Sequence, residues 1–579
     1  MHVRAARLLP PLVLTVAVLA VHAYGLTLGP FIDDYNHAEQ TREIGYGPAD
    51  LARGFEFDFN GRILPFWWGD RPVYLHYFRP AQVLAHKLLF DLFGLWAPAQ
   101  HAHSLAWHLG CCLLVYRLGV EWLGCRSSAL LGGLVFGLHP VQMAAVHWTA
   151  TVAEPMYAFW SLLTLLLTLR TVRAGGPGWA AWLPAYAACA IALVSRETAV
   201  MLPVALTAAG RWWIPRWSGA AAPPWARFAP FFALAAGYLA WRTWTLGGFP
   251  VPPPPYYHSP AEPGFAAHVA AKALWNSAGI LLCAMPAPVL SESLLAGHPW
   301  LWAAMAGAVA AVGGLAAWRL RGRGGSPAFW VLWAVLFCLP TLPMFVSPHY
   351  LYLPTAGWAM LAAALRHTVT TPRPLAWYPR PFGYVFGPVL AAYLGLAVVA
   401  FLILRAGFSL GQLALEDVAA RPTPYPPGAK LFFVNLSPLA HEILPAARVG
   451  LDRPDLTGTV LTFSPDLLGP HTDCRLRRID AHTLEAESPD RPFFAGRIGR
   501  TVLLIGGRPA PLRTGESFRA ADFTATVVRA DDSGAAVLRF RFDRPLDSPE
   551  YVFLLGTRRR AAAPLDMRAV EGPAATDRP

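Results

Sequence analysis

Apolar segments recur along the first 405 residues of this chain, and most are long enough to cross a lipid bilayer, which takes about 20 helical residues. Only 14% of the residues are charged, whereas soluble globular proteins average about 25%. This pattern predicts a mainly α fold with a polytopic helical membrane domain of about 11 transmembrane helices. The predicted spans are 8–28, 101–119, 128–146, 152–171, 179–194, 197–211, 227–246, 299–318, 327–346, 350–367 and 383–405.

The formal net charge of +12 is carried almost entirely by arginine, and the arginines cluster in alternate loops between the spans. The positive-inside rule then predicts a multi-pass protein of the cell (inner) membrane. Its N-terminus is cytoplasmic, while the long first loop, 29–100, and the C-terminal part lie outside the cytoplasm. Two apolar segments, 80–96 and 270–290, would break this count, so they are predicted to be juxtamembrane or re-entrant helices. No basic stripe with interleaved aromatic residues exists outside the loops, so no nucleic-acid partner is expected.

The composition changes after the last predicted span. The membrane domain is predicted to cover residues 1–410, followed by a proline-rich linker at 411–428. Short alternating or apolar runs separated by turn residues predict a small β-rich extracytoplasmic domain at 429–557, and the remainder, 558–579, is predicted to be disordered. The runs are 431–435, 459–463, 483–487, 501–505, 523–528, 536–542 and 551–555.

An acidic pair, Asp33-Asp34, follows the first apolar span after only a few residues. Two adjacent carboxylates beside lipid are energetically expensive, so a functional role is favoured. The pair could supply a general base or hold a divalent cation such as Mg²⁺ or Mn²⁺. The alternative is an ordinary helix cap. Two further polar residues nearby, His37 and Glu39, could join the pair or could be plain loop residues.

Other ionisable groups fall at the outer ends of the predicted helices, although they come from loops far apart in sequence. Convergence of such groups is typical of an active site. Arginine at these positions suggests an anion such as a phosphate, with contact to lipid headgroups as the alternative. The candidates are Arg79, His139, Glu154, Arg196, Glu197, Arg242 and Tyr350. Three histidines at 101, 103 and 108 lack the closed ligand set that zinc requires, and the seven cysteines show no metal spacing or disulfide framework.

Five sequence pieces together resemble the type C (GT-C) superfamily of integral membrane glycosyltransferases. The closest likeness is to the tetratricopeptide-bearing transmembrane O-mannosyltransferases and their bacterial relatives, without the repeats. The pieces, in order, are Asp33-Asp34, Arg79-Pro80, His139-Pro140-Val141 with Ala145-Val146-His147-Trp148, Ser195-Arg196-Glu197-Thr198, and Tyr350-Leu351-Tyr352-Leu353-Pro354-Thr355-Ala356-Gly357. The likeness covers about residues 1–405, and it departs from the family pattern at Gln142, Ala144, Val152 and His349.

The resemblance implies a GT-C-like domain that transfers a sugar from a polyprenyl-phosphate donor to an extracytoplasmic protein, lipid or glycan acceptor, with inversion. Asp33 or Asp34 would be the base, Arg196 and Arg242 would balance the leaving phosphate, and Glu154 would orient the acceptor or help to hold a cation. His37, Glu39, Arg79, His139, Glu197 and Tyr350 complete the expected substrate-binding set. Two alternatives remain: a transporter or flippase of lipid-linked sugars, and a non-catalytic scaffold.

Overall fold

The computed structural model describes residues 2–31, 33–58, 63, 66–69, 73–176, 178–248, 256–283, 298–320, 327–370, 382–421, 424–467 and 472–570. Part of the predicted re-entrant segment 270–290, from residue 284 onward, lies outside the described residues. The same is true of the last nine residues of the predicted disordered tail, 571–579.

The membrane domain is helical from its first described residue. Its helices are α1 (His2–His22), α5 (Ala97–Leu123), α6 (Arg126–Gly137), α7 (Gln142–His147), α8 (Ala153–Arg173), α9 (Leu183–Ser195), α10 (Leu202–Ala208), α11 (Ile214–Ser218), α12 (Ala229–Leu246), α13 (Phe265–Leu282), α14 (Pro299–Arg319), α15 (Ala328–Cys338), α16 (Pro354–Thr370) and α17 (Phe382–Ala419), with α2–α4 in the first outer loop. Short 3₁₀ turns lie at Ala23–Thr27, Thr149–Thr151, Trp179–Trp182, Glu197–Met201, Trp225–Arg227, Leu339–Thr341 and Pro348–Leu351, and a π turn lies at Ala209–Trp213.

Small residues allow these helices to approach closely. A Cβ atom added at Gly119 of α5 would lie 3.0 Å from Ala129 of α6, and one added at Gly132 would lie 3.1 Å from Ala363 of α16. Close backbone approach at small residues is the usual way in which helices associate in a membrane, because lipid supplies no hydrophobic driving force. Large tryptophan side chains fill the wider gaps between the helices.

Among the described residues, four helical stretches are long and apolar enough to cross a membrane: Leu8–Thr27, Thr149–Arg173, Trp300–Arg319 and Ala391–Ala419. The predicted count of about 11 is therefore not confirmed. Several predicted spans are broken into shorter helices. The predicted span 128–146 divides into α6 and α7, because Pro140 cannot supply the backbone N–H that a continuous helix needs at that point.

Among its described residues, the first outer loop holds three helices and a two-stranded sheet. These are α2 (Asp33–Glu43), α3 (Pro48–Arg53), β1 (Glu56–Asp58), β2 (Tyr74–His76) and α4 (Pro80–Phe93). The two strands are antiparallel, with Phe57 opposite Leu75. Pro80 begins α4 at a position where its missing N–H costs no helical hydrogen bond.

The C-terminal domain contains two sheets and two short helices. Its elements are β3 (Lys430–Val434), α18 (Ile443–Gly450), β4 (Thr457–Val460), β5 (Arg475–Arg478), β6 (Thr483–Glu487), α19 (Gly496–Ile505), β7 (Ser517–Arg519), β8 (Phe523–Asp531), β9 (Gly534–Phe542), β10 (Tyr551–Leu555) and β11 (Ala563–Leu565), with a 3₁₀ turn at Pro438–Ala440. The sheet orders are β11-β10-β3-β4 and β5-β6-β9-β8-β7. In the first sheet β3 pairs in parallel with both β10 and β4, and α18 provides the crossover that a parallel β3–β4 pair requires.

Three details of the predicted C-terminal organisation are wrong. The run 501–505 ends helix α19, because an apolar run of five residues has no period that separates a strand from a buried helix turn. The predicted linker 411–428 begins as helix, since α17 continues to Ala419. The predicted disordered tail 558–579 contains β11, which pairs with β10 and so extends the ordered domain beyond residue 557.

The first outer loop and the C-terminal domain share one hydrophobic core. Phe55, Trp67 and Trp68 pack in the same buried cluster as Phe433 and Phe540. Trp67 also donates a hydrogen bond from Nε1 to the Leu461 carbonyl oxygen at 2.9 Å. The two parts must therefore lie on the same side of any membrane, and the chain between them must cross it an even number of times.

Candidate active site

A cavity of about 220 Å³ lies where the first outer loop, the membrane helices and the C-terminal domain meet. One carboxylate, Asp33, lines it together with two guanidinium groups, those of Arg79 and Arg196. The remaining wall is largely aromatic and includes Phe55, Phe57, Tyr77, Tyr256, Phe345 and Tyr350. Such a cavity, mostly apolar with a few converging charged groups, is typical of a small-molecule site.

Asp33 is the first residue of α2, and its side chain remains partly exposed. Burial raises the pKa of its carboxyl group, while contacts with Glu442 and His441 of the C-terminal domain act in the opposite direction. Asp33 is the member of the acidic pair that lines this cavity, whereas Asp34 lines a separate small cavity of about 30 Å³.

Asp34 has a different role. Its Oδ2 accepts a hydrogen bond from the Phe31 backbone N–H at 2.8 Å, and its Oδ1 accepts one from the Ala150 N–H at 2.6 Å. It therefore fixes the start of α2 and ties it to the 3₁₀ turn before α8. Burial raises the pKa of Asp34 to about 7. The sequence analysis gave two alternatives for the acidic pair, a helix cap and a general base. Asp34 acts as the cap, and Asp33 is the candidate base.

Each cation in the cavity is held by a glutamate behind it. Arg79 Nε donates to Glu197 Oε2 at 2.9 Å, and Arg196 forms a buried ion pair with Glu154. Neither Glu154 nor Glu197 lines the cavity. The two glutamates therefore position the guanidinium groups, and fixed guanidinium groups are suited to a phosphate.

Tyr350 is packed between two cations. The Arg196 guanidinium lies 5.4 Å from the centre of its ring, and Lys272 Nζ lies 4.9 Å from it. Lys272 donates to the backbone carbonyls of Met344 and Phe345 at 2.8 and 2.9 Å. The lysine thus fixes the loop that carries Tyr350, and the ring forms a rigid wall beside Arg196.

The remaining predicted site residues are placed in three different ways. His37 lines the cavity and stacks on Phe55, with ring centres 4.3 Å apart, and burial lowers its pKa well below the usual value. Glu39 forms a two-point ion pair with Arg448 of α18, at 2.5 and 2.9 Å, and so joins the two parts of the chain. His139 accepts a hydrogen bond at Nδ1 from the Val141 N–H and donates one from Nε2 to the Ile280 carbonyl oxygen, and neither His139 nor Arg242 belongs to the cavity lining.

Two site residues that the sequence did not predict, His441 and Glu442, come from the C-terminal domain. His441 lines the cavity, and the Glu442 carboxyl group faces Asp33. Both precede α18, a short helix that was not predicted from the sequence. They are more than 400 positions from Asp33, so only the shared core brings them to the site.

The expected divalent cation at Asp33 and Asp34 stays a prediction: each Asp34 oxygen accepts a backbone hydrogen bond, and an ionised carboxylate has about four lone-pair sites in all. Within the part of the chain that the structure describes, no group of three or more histidine, cysteine, aspartate or glutamate side chains is arranged to hold a metal ion.

No family model and no curated protein matches this chain. Several solved structures are similar to it. ArnT from Cupriavidus metallidurans, solved with bound undecaprenyl phosphate, is 14% identical over 79% of this chain and 86% of its own length, with a TM-score of 0.40. The arabinofuranosyltransferase AftD from Mycobacteria is 14% identical over 93% of this chain and 40% of its own length, with a TM-score of 0.45.

The oligosaccharyltransferase of Archaeoglobus fulgidus is 11% identical over 76% of this chain and 63% of its own length, with a TM-score of 0.40. Because all three TM-scores are below 0.5, these likenesses carry no conclusion about the family, the donor, the acceptor or the residues of this chain.

Proposed function

We propose that this protein is a membrane glycosyltransferase that moves a hexosyl or pentosyl group from a polyprenyl-phosphate donor to an extracytoplasmic acceptor, with inversion. The observation that carries the proposal is the composition of the cavity, which places one reachable carboxylate, Asp33, in the same space as two anchored guanidinium groups. Nucleophile activation and stabilisation of a leaving phosphate need these two kinds of group together.

The groups in the cavity account for every bond and proton in the transfer. An acceptor hydroxyl oxygen forms a bond to the anomeric carbon of the sugar, and the bond from that carbon to the phosphate oxygen breaks. The electron pair of the broken bond leaves with the polyprenyl phosphate, whose charge Arg79 and Arg196 offset. The hydroxyl proton passes to the Asp33 carboxylate. Attack opposite the leaving group inverts the anomeric centre.

The aromatic wall supports a sugar in this cavity. Flat rings such as Tyr77 and Tyr256 offer apolar surface to the C–H faces of a sugar ring, while the charged groups are few and fixed. Because Glu154 and Glu197 hold the guanidinium groups before substrate arrives, little reorganisation is needed when charge develops on the phosphate.

We infer that the cavity faces the outside of the cell membrane. The arginine distribution places the N-terminus in the cytoplasm. The first outer loop and the C-terminal domain share a core, so both follow α1 onto the opposite side. The partners of the protein are then the membrane lipid that carries the donor and a protein, lipid or glycan acceptor outside the cytoplasm. A divalent cation remains a further proposal, to be tested by adding Mg²⁺, Mn²⁺ or a chelator.

The test is release of polyprenyl phosphate from a panel of radiolabelled polyprenyl-phosphate sugars by the purified protein in lipid nanodiscs. Wild type is compared with Arg79→Ala and with Arg53→Ala, a control in the same outer loop that contacts the Thr245 carbonyl away from the cavity. We expect release with at least one donor, strong loss in Arg79→Ala and no loss in Arg53→Ala.

The same experiment separates the alternatives. A transporter would move the intact donor across the bilayer without releasing polyprenyl phosphate. A scaffold would give no release with any donor, and Arg79→Ala would behave as wild type in every assay. Either result, with folded protein, contradicts the proposed reaction.

A further inference from the structure

The C-terminal domain brings a second carboxyl group to the candidate base. Glu442 directly precedes α18, which packs against α2, and its side chain is only 3% exposed. Asp33 and Asn36 are its polar neighbours. Neither Glu442 oxygen has a hydrogen-bond partner of ordinary geometry among the described residues, so the Asp33 carboxyl group and the Asn36 amide are the neighbouring groups that can satisfy it.

Two carboxyl groups in contact at a buried position do not both ionise, because like charges repel and burial disfavours each charge. Such a pair holds one proton between its members. Burial and the neighbouring Asp33 raise the pKa of Glu442 well above its usual value, and the hydrogen bond from Glu442 favours the ionised form of Asp33. Asp33, which reaches the cavity, is therefore the ionised member, and Glu442 keeps the proton.

His441 restricts where that proton can go. Its Nδ1 lies 2.8 Å from the Pro438 carbonyl oxygen, which can only accept, so Nδ1 carries a hydrogen. Its Nε2 faces Glu442 Oε1 at 3.9 Å, beyond a direct hydrogen bond. Burial lowers the pKa of His441, so this ring is neutral and does not compete as a cation for the pair.

We propose that Glu442 is a positioning residue for the transferase site, whose protonated carboxyl donates a hydrogen bond to Asp33 and holds it ionised and aimed at the acceptor. This inference rests on the proposed function. Under this proposal the C-terminal domain is part of the active site. The Glu39–Arg448 ion pair joins α2 to α18 and so helps to hold Glu442 beside Asp33.

During transfer the acceptor hydroxyl proton passes to Asp33 while Glu442 retains its own, so the pair ends with two protons and loses one to solvent before the next cycle. The other titratable groups that interact with the pair are Asp34 of α2, Tyr77 and Tyr256 of the cavity wall, and His441. Tyr35 of α2 lines a small cavity with Glu442, and Glu416 of α17 acts on Tyr35.

The test compares three proteins in the transfer assay, namely wild type, Glu442→Gln and Glu442→Ala. Glutamine carries a donor N–H at the same position and has no proton to lose, whereas alanine removes the donor. We expect Glu442→Gln to keep turnover within about threefold of wild type. Glu442→Ala should lose about 10²-fold in kcat with little change in KM for the donor, because misplacing a reacting group by about 1 Å has an effect of that size.

The pH dependence of the rate is a second measurement, and a purely structural role of Glu442 would leave it unchanged. In wild type the rate should fall at alkaline pH, when Glu442 loses its proton, and this limb should be absent in Glu442→Gln. Glu487→Gln is the matched control, because Glu487 is exposed and pairs with Arg529 away from the cavity. Wild-type turnover in Glu442→Ala would overturn the proposal, and so would equal losses in Glu442→Gln and Glu442→Ala.

An infrared measurement tests this inference even if the protein turns over no donor. A lack of turnover would count against the proposed function alone. The difference spectrum of wild type minus Glu442→Gln at neutral pH should contain the C=O stretching band of one protonated carboxyl. That band should shift when Asp33 is replaced by asparagine. Absence of the band would overturn the shared proton whatever the enzyme activity.

Discussion

A buried ion pair between Glu39 and Arg448 joins the first outer loop to the C-terminal domain, and its removal should loosen the whole site. Arg448 binds the carboxylate at two points, 2.5 and 2.9 Å, and the two side chains are only 11% and 10% exposed. Glu39→Ala removes the carboxylate that binds this buried guanidinium at two points. Breaking a buried pair in this way costs about 3–5 kcal/mol, and the remaining exposure favours the lower end, about 3 kcal/mol.

The assay is thermal unfolding of the purified protein in nanodiscs, followed by the fluorescence of the tryptophans in the shared core. For a folding unit of about 150–250 residues each kcal/mol shifts Tm by about 2–4 °C, so Glu39→Ala should lower the transition of this unit by about 6–12 °C. The double variant Glu39→Ala with Arg448→Ala should lose less than the sum of the single variants, because neither charge is then left unpaired.

A neighbouring pair provides the matched control. Arg42 and Asp452 also join α2 to the end of α18, at 3.2 Å, but their side chains are 37% and 87% exposed. Arg42→Ala should therefore change the stability by no more than about 1 kcal/mol. If Glu39→Ala lowers Tm no further than Arg42→Ala, the buried pair does not clamp the two parts together and the reasoning fails.

Three further predictions follow from single contacts. Burial raises the pKa of Asp34 from 3.8 to about 7, so the folded state binds this proton more tightly than the unfolded state. The free energy of unfolding should therefore fall by about 1.4 kcal/mol per pH unit as the pH rises between these values. Subtracting the pH profile of stability of Asp34→Asn from that of wild type should isolate this slope. Arg196→Ala leaves Glu154 buried and unpaired, so it should destabilise the fold by about 3–5 kcal/mol, and adding Glu154→Gln should restore much of the lost Tm. Gly458→Ala should abolish folding of the C-terminal domain, measured by protease resistance, because φ is +138° there and the new Cβ would lie 1.9 Å from the Leu431 carbonyl oxygen.

The sequence predicted the helical membrane domain and the β-rich C-terminal domain because both depend on local patterns. Apolar length identifies a helix that can cross a membrane. An alternating run identifies β6 and a short apolar run identifies β10, and the bounds of both strands match the predicted runs 483–487 and 551–555. Apolar length did not predict the number of membrane crossings, because proline breaks and short 3₁₀ turns divide several apolar stretches without changing their composition.

The candidate site was only partly predictable for a related reason. Asp33, Arg79 and Arg196 stand out because charged groups beside apolar spans are unusual, and the structure places all three around one cavity. The division of roles between Asp33 and Asp34 depends on hydrogen bonds from the Phe31 and Ala150 backbone N–H groups. Every residue except proline has such a group, so the sequence does not indicate which of them bind Asp34. The contribution of Glu442 depends on a core shared across the chain, which no local pattern encodes.

The central claim is that Asp33 is the base, and the most direct measurement is turnover per folded molecule for Asp33→Asn beside Asp34→Asn, with the donor identified from the panel. Because asparagine cannot take up the acceptor proton, Asp33→Asn should lose about 10²–10⁴-fold in kcat with its Tm unchanged. Asp34→Asn should lower Tm, and its folded fraction should lose far less turnover. Full turnover in Asp33→Asn, or a selective loss of turnover in folded Asp34→Asn, would contradict the account.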